Sequence, residues 1–317
     1  MAFGVLLASA ACKAVAPASR DSTLRARRGA LGAALQDVST VALRAPRILK
    51  ENSSASMSRR QPGVFFSIND SGNDALLFAL DTTGADRGIW RILGSTNVDW
   101  EDTALGPCGP DNPVNCLYIG DTGDNDAMRP SRTIYRVAEP DVAPSNSGKI
   151  VGTLKAEALQ YRYQDRPHDV EAMYVPPNGD IVLITKRPIL VRLGRYREAL
   201  VFRISSSLWG SHTAVVAPLV DSLPIVPGSA PFRLITDAAL SPDSKHLAVR
   251  TYAQVYIFAT DSLTGAVNHE VAPSVCDVTS LGEYQGEGVA WANNEGRLIF
   301  TSEGRKSPLH IASCLLP

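Results

Sequence analysis

Residues 236–251 read TDAALSPDSKHLAVRT: an acidic residue, small and apolar positions, a Pro-containing turn, and a second apolar run. The pattern recurs. EDTALGP (101–107) runs to CLYIGD (116–121), VEAMYVPPNGDIVLITK fills 170–186, and GEGVAWANNEGRLIFTSE fills 286–303. Aligning Asp102, Glu171, Asp237 and Glu287 places Pro107, Pro176, Pro242 and Ala292 in a second column five residues on. SASMSRRQPGVFFSIND (54–70) is a weaker copy with Ser54 in the acidic column. Each copy is a turn-linked pair of short strands, and repetition at this period marks a radial or solenoid array.

Further strand-like runs follow each pair: ALLFAL and GIWRIL, TIYRVA and ALQYRY, ALVFRI and TAVVAPL, then QVYIFA. No amphipathic helix interrupts them, and four-stranded units repeated radially predict an all-β fold, a β-propeller. The column residues at 54, 102, 171, 237 and 287 count five blades; the two long steps leave room for a sixth. After Glu287 only about three strands remain, and LQDVSTVALRA (35–45) is placed to supply the fourth and close the ring. A solenoid would show more regular repeat lengths and no complementary terminal strand.

The chain of 317 residues is 44% hydrophobic and 20% charged, enough apolar material for a large core. Its net charge of −1 disfavours nucleic acid as a partner. The balance is uneven: residues 1–60 carry ten basic against three acidic side chains, and the remainder is net acidic. Residues 1–12, MAFGVLLASAAC, read as an export signal, with Ser9-Ala10-Ala11-Cys12 similar to a lipobox that would lipidate Cys12. Cleavage after Ala16 is the competing reading. Residues 13–30 read as a basic tether and 31–317 as a single propeller domain, expected in the cell envelope, periplasmic or extracellular, touching membrane only through a lipid anchor. With Cys12 set apart, four cysteines can pair: Cys108 with Cys116 across a turn-rich loop, and by elimination Cys276 with Cys314.

If each acidic column opens an innermost strand, the ends of the second strands return to the same rim. That gathers Asp102, Glu171, Asp237, Glu287, Asp70, Asp121 and Glu303, with Lys186 and Arg250 among them. Converging carboxylates need a cation, a basic partner or backbone amides. Three roles follow: oxygen ligands for a hard cation, foremost calcium; turn-pinning hydrogen bonds; or catalysis, with His168 or Glu287 as general base. NDSGND (69–74) and GDTGDND (120–126) have compositions suited to oxygen ligands, although neither has EF-hand spacing. Trp100 either stacks on a ligand or packs between blades. GxSxG, HExxH, Walker A and dinucleotide GxGxxG motifs are absent from the sequence.

The segments SRRQPGVFFSINDSG, DWEDTALGP, LYIGDTGDN, HDVEAMYV, TDAALSPDSKHLAVRTY and GEGVAWANNEGRLIFTSEG resemble a group of exported bacterial β-propeller proteins, lipoproteins among them, over roughly residues 50–305. The EGVAW and TSEG elements are more distantly similar to phytase-like propellers, without the Asp-rich motif of the calcium-dependent phytases. The resemblance implies a propeller and brings no catalytic residues. The expected function is binding of a cation and a polar small molecule or envelope protein at the acidic rim, by a monomer. A metal-dependent hydrolase of a phosphoester, ester or lactone is the alternative.

Overall fold

The computed structural model describes residues 32–317 apart from 110–111, 113, 187–189, 192–194, 197, 226–233, 293–294 and 306, so the leader, Cys12 and the tether lie outside the described residues. The strands form five antiparallel blades, with no α-helix among the described residues. From the channel outward, the first blade comprises Ser56–Met57, Val64–Ile68, Leu76–Asp81 and Asp86–Leu93. The second comprises Trp100–Pro107, Asn115–Asp121, Arg132–Ala138 and Glu157–Tyr163. The third comprises Val170–Tyr174, Ile181–Thr185, Ala199–Ile204 and Leu219–Leu223. The fourth comprises Ile235–Leu240, His246–Thr251, Gln254–Ala259 and Ser274–Asp277. The fifth takes Gly286–Trp291, Arg297–Ser302 and Leu309–Ser313 from the C-terminus, and its outer strand is Gln36–Val41. That strand pairs antiparallel to Leu309–Ser313 and closes the ring as the sequence predicts. Each innermost strand touches those of both neighbouring blades, and the fifth touches the first.

The blades have two buried faces, which is why their strands read as continuous apolar runs rather than alternating ones. In the first blade Leu76, Phe78 and Leu80 pack toward the fifth blade, while Leu77 and Ala79 pack toward the second. An apolar layer fills each of the five junctions between neighbouring blades.

Among the described residues the long repeat steps conceal no sixth blade. Ile150–Lys155, from the second blade's connection, adds in parallel to Asp86–Leu93 of the first, and Val215–Ala217 adds in parallel to Glu157–Tyr163 of the second. TAVVAPL therefore serves the preceding blade, and the third blade's outer strand is Leu219–Leu223 instead. Ala33–Ala34 covers the edge of the fourth blade in the same way. These additions cap edges that would otherwise offer unpaired backbone groups.

Both expected disulfides form. Cys108–Cys116 clips a loop of sequence separation 8, whereas Cys276–Cys314, separation 38, ties the fourth blade to the fifth beside the ring closure. Loop entropy assigns the longer bridge about 4 kcal/mol and the shorter about 2.5 kcal/mol. Cys276→Ala/Cys314→Ala is expected to lower unfolding stability more than Cys108→Ala/Cys116→Ala, as denaturant titration of both double variants would show. Equal losses would mean that the ring is closed without the bridge.

Candidate functional site

Each inner strand from the second blade onward starts with a register shift against its partner: between Trp100 and Asp102, Val170 and Ala172, Ile235 and Asp237, and Gly286 and Val289. Such bulges re-aim side chains. They carry Glu101, Glu171, Thr236 and Glu287, whereas Asp102 and Asp237 stand one position further, where regular pairing resumes. The acidic column of the sequence thus merges two different places: Glu171 and Glu287 belong to the channel mouth, and Asp102 and Asp237 lie deeper.

Asp102 and Asp237 are both fully buried. The Asp102 carboxyl accepts hydrogen bonds from the Thr103 and Met173 amides, each at 2.5 Å. Asp237 Oδ2 accepts from the Val289 amide at 2.7 Å and the Ala55 amide at 3.3 Å. Asp102 thus ties the second blade to the third, and Asp237 ties the fourth to the fifth and to Ala55 at the entry of the first. The two carboxyls interact directly, and Asp237 Oδ1 has no hydrogen-bond partner among the described residues; a proton held between them would satisfy it, because neither can donate when both are ionised. Burial first, then the charge of Asp237, pushes Asp102 well above the usual carboxylate range; burial pushes Asp237 up to about 7. This pair pins the blades and forms the floor beneath the mouth.

At the mouth, carboxylate oxygens of Asp70, Asp99 and Glu101 lie within 4.8 Å of one another, as do those of Glu101, Asp169 and Glu171. Glu101, only 6% exposed, is common to both groups, and no donor among the described residues hydrogen-bonds its carboxylate. Gly123 makes room for it: a Cβ there would collide with Glu101 Oε1 and lie 2.6 Å from the Asp99 carboxylate. Lys186 pairs with Glu171. Burial works against the Lys186 ammonium, but Glu171 and Glu101 outweigh it and raise its pKa. Beyond Glu171, Glu287 accepts from Gln285 Nε2 at 2.7 Å and from the Tyr252 hydroxyl at 3.2 Å, and the same Gln285 amide reaches Glu303 at 2.9 Å.

The mouth is short of positive charge. Burial, then Glu171 and Asp70, hold Glu101 well above its ordinary pKa; burial raises Glu171 and Glu303, moves Glu287 to about 7, and with Asp70 moves Asp99 to about 6. Two carboxylate groups sharing a buried member can hold a metal ion, and an all-oxygen set suits a hard cation. Asp99, Glu101 and Asp169 join the set beyond the residues aligned in sequence; the bulge that turns Glu101 outward is a pairing property that the repeat alignment does not display.

Other residues gathered by the alignment have different surroundings. Asp121 pairs with Arg129 at 2.7 Å and accepts the Asp99 amide at 3.1 Å; Asp124 accepts the Met128 and Arg129 amides and pairs with Arg132. The GDTGDND segment is thus a self-satisfied turn, while Asp70 of NDSGND reaches the mouth. Arg250 is fully buried, donates to the Gly288 and Thr301 carbonyls at 2.6 and 2.9 Å, and pairs with Glu283. Trp100 is fully buried against Tyr135, its indole N–H on the Thr96 carbonyl at 3.1 Å. His168 packs edge-on to Tyr163 with Nε2 2.9 Å from Asp165, outside both carboxylate groups, and burial lowers its pKa.

Fold and site define a five-bladed β-propeller with a carboxylate-lined channel mouth. No family model matches the chain, and no curated protein matches it by sequence. Among solved structures it is similar to the major Malassezia sympodialis allergen Mala s 1, with TM-score 0.50 and 9% identity over 89% of this chain and 96% of that one. Myxococcus xanthus glutaminyl cyclase has TM-score 0.46 and 14% identity over 90% and 99%. The soluble aldose sugar dehydrogenase of Escherichia coli has TM-score 0.45 and 11% identity over 87% and 99%. At 9% identity the likeness to the allergen is one of fold.

Proposed function

We propose that this propeller is an exported protein of the cell envelope that binds a hard divalent cation, foremost calcium, at its channel mouth, and through it a polar ligand. The carrying observation is Glu101: a buried carboxylate shared by two acidic groups, with no hydrogen-bond donor among the described residues and space preserved by Gly123. A cation bridging the groups would replace the protons that crowding otherwise retains. Two disulfides support an oxidising compartment, and the apolar leader ending at Cys12 supports lipid anchoring there. N-terminal sequencing of the mature protein checks this; an intact Met1 on protein from the cytoplasm would overturn it. No helix among the described residues is long and apolar enough to cross a membrane.

Calorimetric titration with calcium is expected to show one strong site, and Glu101→Gln to weaken it at least tenfold, because the substitution removes a charge common to both groups while nearly preserving shape. Unchanged affinity in Glu101→Gln would place any cation elsewhere.

A second reading, a metal-dependent hydrolase of a phosphoester, ester or lactone, is favoured by Glu287: a carboxylate titrating near 7 beside Tyr252 has the acidity suited to a general base. It requires calcium-dependent turnover that Glu287→Gln abolishes. Binding without turnover on such substrates leaves the first reading.

A further inference from the structure

Below the Asp102–Asp237 floor the channel changes character. A cavity of about 300 Å³ opens there; Ala55, Leu105, Val175, Leu240 and Trp291 form its apolar wall, one from each blade, and Ser56, Ser58 and Thr103 add polar atoms on one side. Its volume is at the small end of ligand pockets. The acids of the opposite mouth are absent from its lining, and the cation there is Arg59.

Arg59 has no hydrogen-bond or ion-pair partner among the described residues, although its neighbours on the chain are fully engaged. The nearby Glu139 carboxylate is already held by Arg60 Nε at 3.2 Å, Ser58 Oγ at 2.5 Å and Gln61 Nε2 at 3.0 Å, and Arg60 also pairs with Asp141 at 2.5 Å. Arg59 is exposed at the rim of the cavity, and burial of part of the side chain lowers its pKa against the raising effect of Glu139. An arginine with its donor fork unspent beside a cavity with one apolar wall matches a planar anion carried on an apolar body.

We infer that this end of the channel is a second binding site, for a small monocarboxylate with an apolar body, its carboxylate on Arg59 and its body in the cavity between the inner strands. The site is independent of the cation at the opposite mouth.

The probe is octanoate, titrated calorimetrically and by tryptophan emission, since Trp291 lines the cavity. Octanoate is expected to bind the full chain, and Arg59→Met to weaken it ten- to a hundredfold, the range of a lost charge-assisted hydrogen bond. Arg59→Lys should recover part of the loss, and octanol, which lacks the anion, should bind more weakly and be indifferent to Arg59→Met. Ala239→Phe, which fills the cavity from its wall, should abolish octanoate binding, with calcium titration of the same variant showing that the propeller is intact. Absence of octanoate binding, equal binding by Arg59→Met, binding that survives Ala239→Phe, octanol as tight as octanoate, or inorganic phosphate as tight as octanoate would each overturn the proposal.

Discussion

Asp237→Asn is expected to stabilise the protein at pH 8 and to leave it nearly unchanged at pH 5, whereas Asp237→Ala should cost about 2–5 kcal/mol at pH 5 and less at pH 8, where it too removes the titration. The alanine variant strands the buried Val289 and Ala55 amides that Asp237 now satisfies, and each lost partner costs about 1–3 kcal/mol. Asparagine keeps the acceptor oxygen and supplies an N–H to Asp102, replacing the shared proton with a permanent donor. The pH dependence follows from the sign of the shift. The Asp237 pKa is raised in the fold to about 7, so between its unfolded value near 4 and that point the native state holds more protons than the unfolded chain. Stability from this group is therefore greatest at low pH and falls as pH rises to about 7. Removing the titration should recover up to about 4 kcal/mol at pH 8. Urea unfolding of the three proteins at both pH values is the measurement. Equal losses for Asn and Ala, with no difference between pH 5 and 8, would exclude a shared proton.

The metal-free protein is expected to melt at a higher temperature at pH 5 than at pH 8, with calcium restoring the loss at pH 8 and adding little at pH 5. Glu101, Glu171 and Glu303 are raised, and Asp99 and Glu287 titrate at about 6 and about 7, all in the sense that makes raising pH destabilising. A cation at the mouth binds the ionised forms, so its affinity should rise about tenfold per pH unit for each proton it displaces. At a free concentration 100 times the dissociation constant, the gain at pH 8 is about 2.7 kcal/mol. Calorimetry in buffers of differing ionisation enthalpy would count the released protons directly. A melting temperature indifferent to calcium at both pH values would leave the mouth acids as turn-pinning groups and remove the basis for a metal-bound ligand.

Asp102 and Asp237 show why prediction of the fold outran prediction of the site. In sequence they align with Glu171 and Glu287, because the repeat is recognised by its turn and its apolar runs. In the structure a one-residue bulge divides the group, and one position along a strand reverses the direction of a side chain. Glu101 thereby passes from a flank of Trp100 to the centre of the mouth, and Asp102 from a proposed ligand to the floor. Arg250 and Asp121 sit at the strand ends that the repeat assigns them, but their partners, Glu283 and Arg129, lie on connections outside the repeated pattern.

By itself the sequence determined the propeller architecture, the closing strand within 35–45 and both disulfides, because these follow from short apolar runs, turn chemistry and the count of strands left unpaired; the choice of five blades over six waited for the pairing of the long connections. Only the tertiary structure decided which carboxylates share a site, that Asp102 and Asp237 are buried together with raised pKa values, and that Arg59 stands beside a channel cavity. Those outcomes depend on bulges, on contacts across a closed ring and on which cations are already paired, and such interactions join residues far apart in the chain.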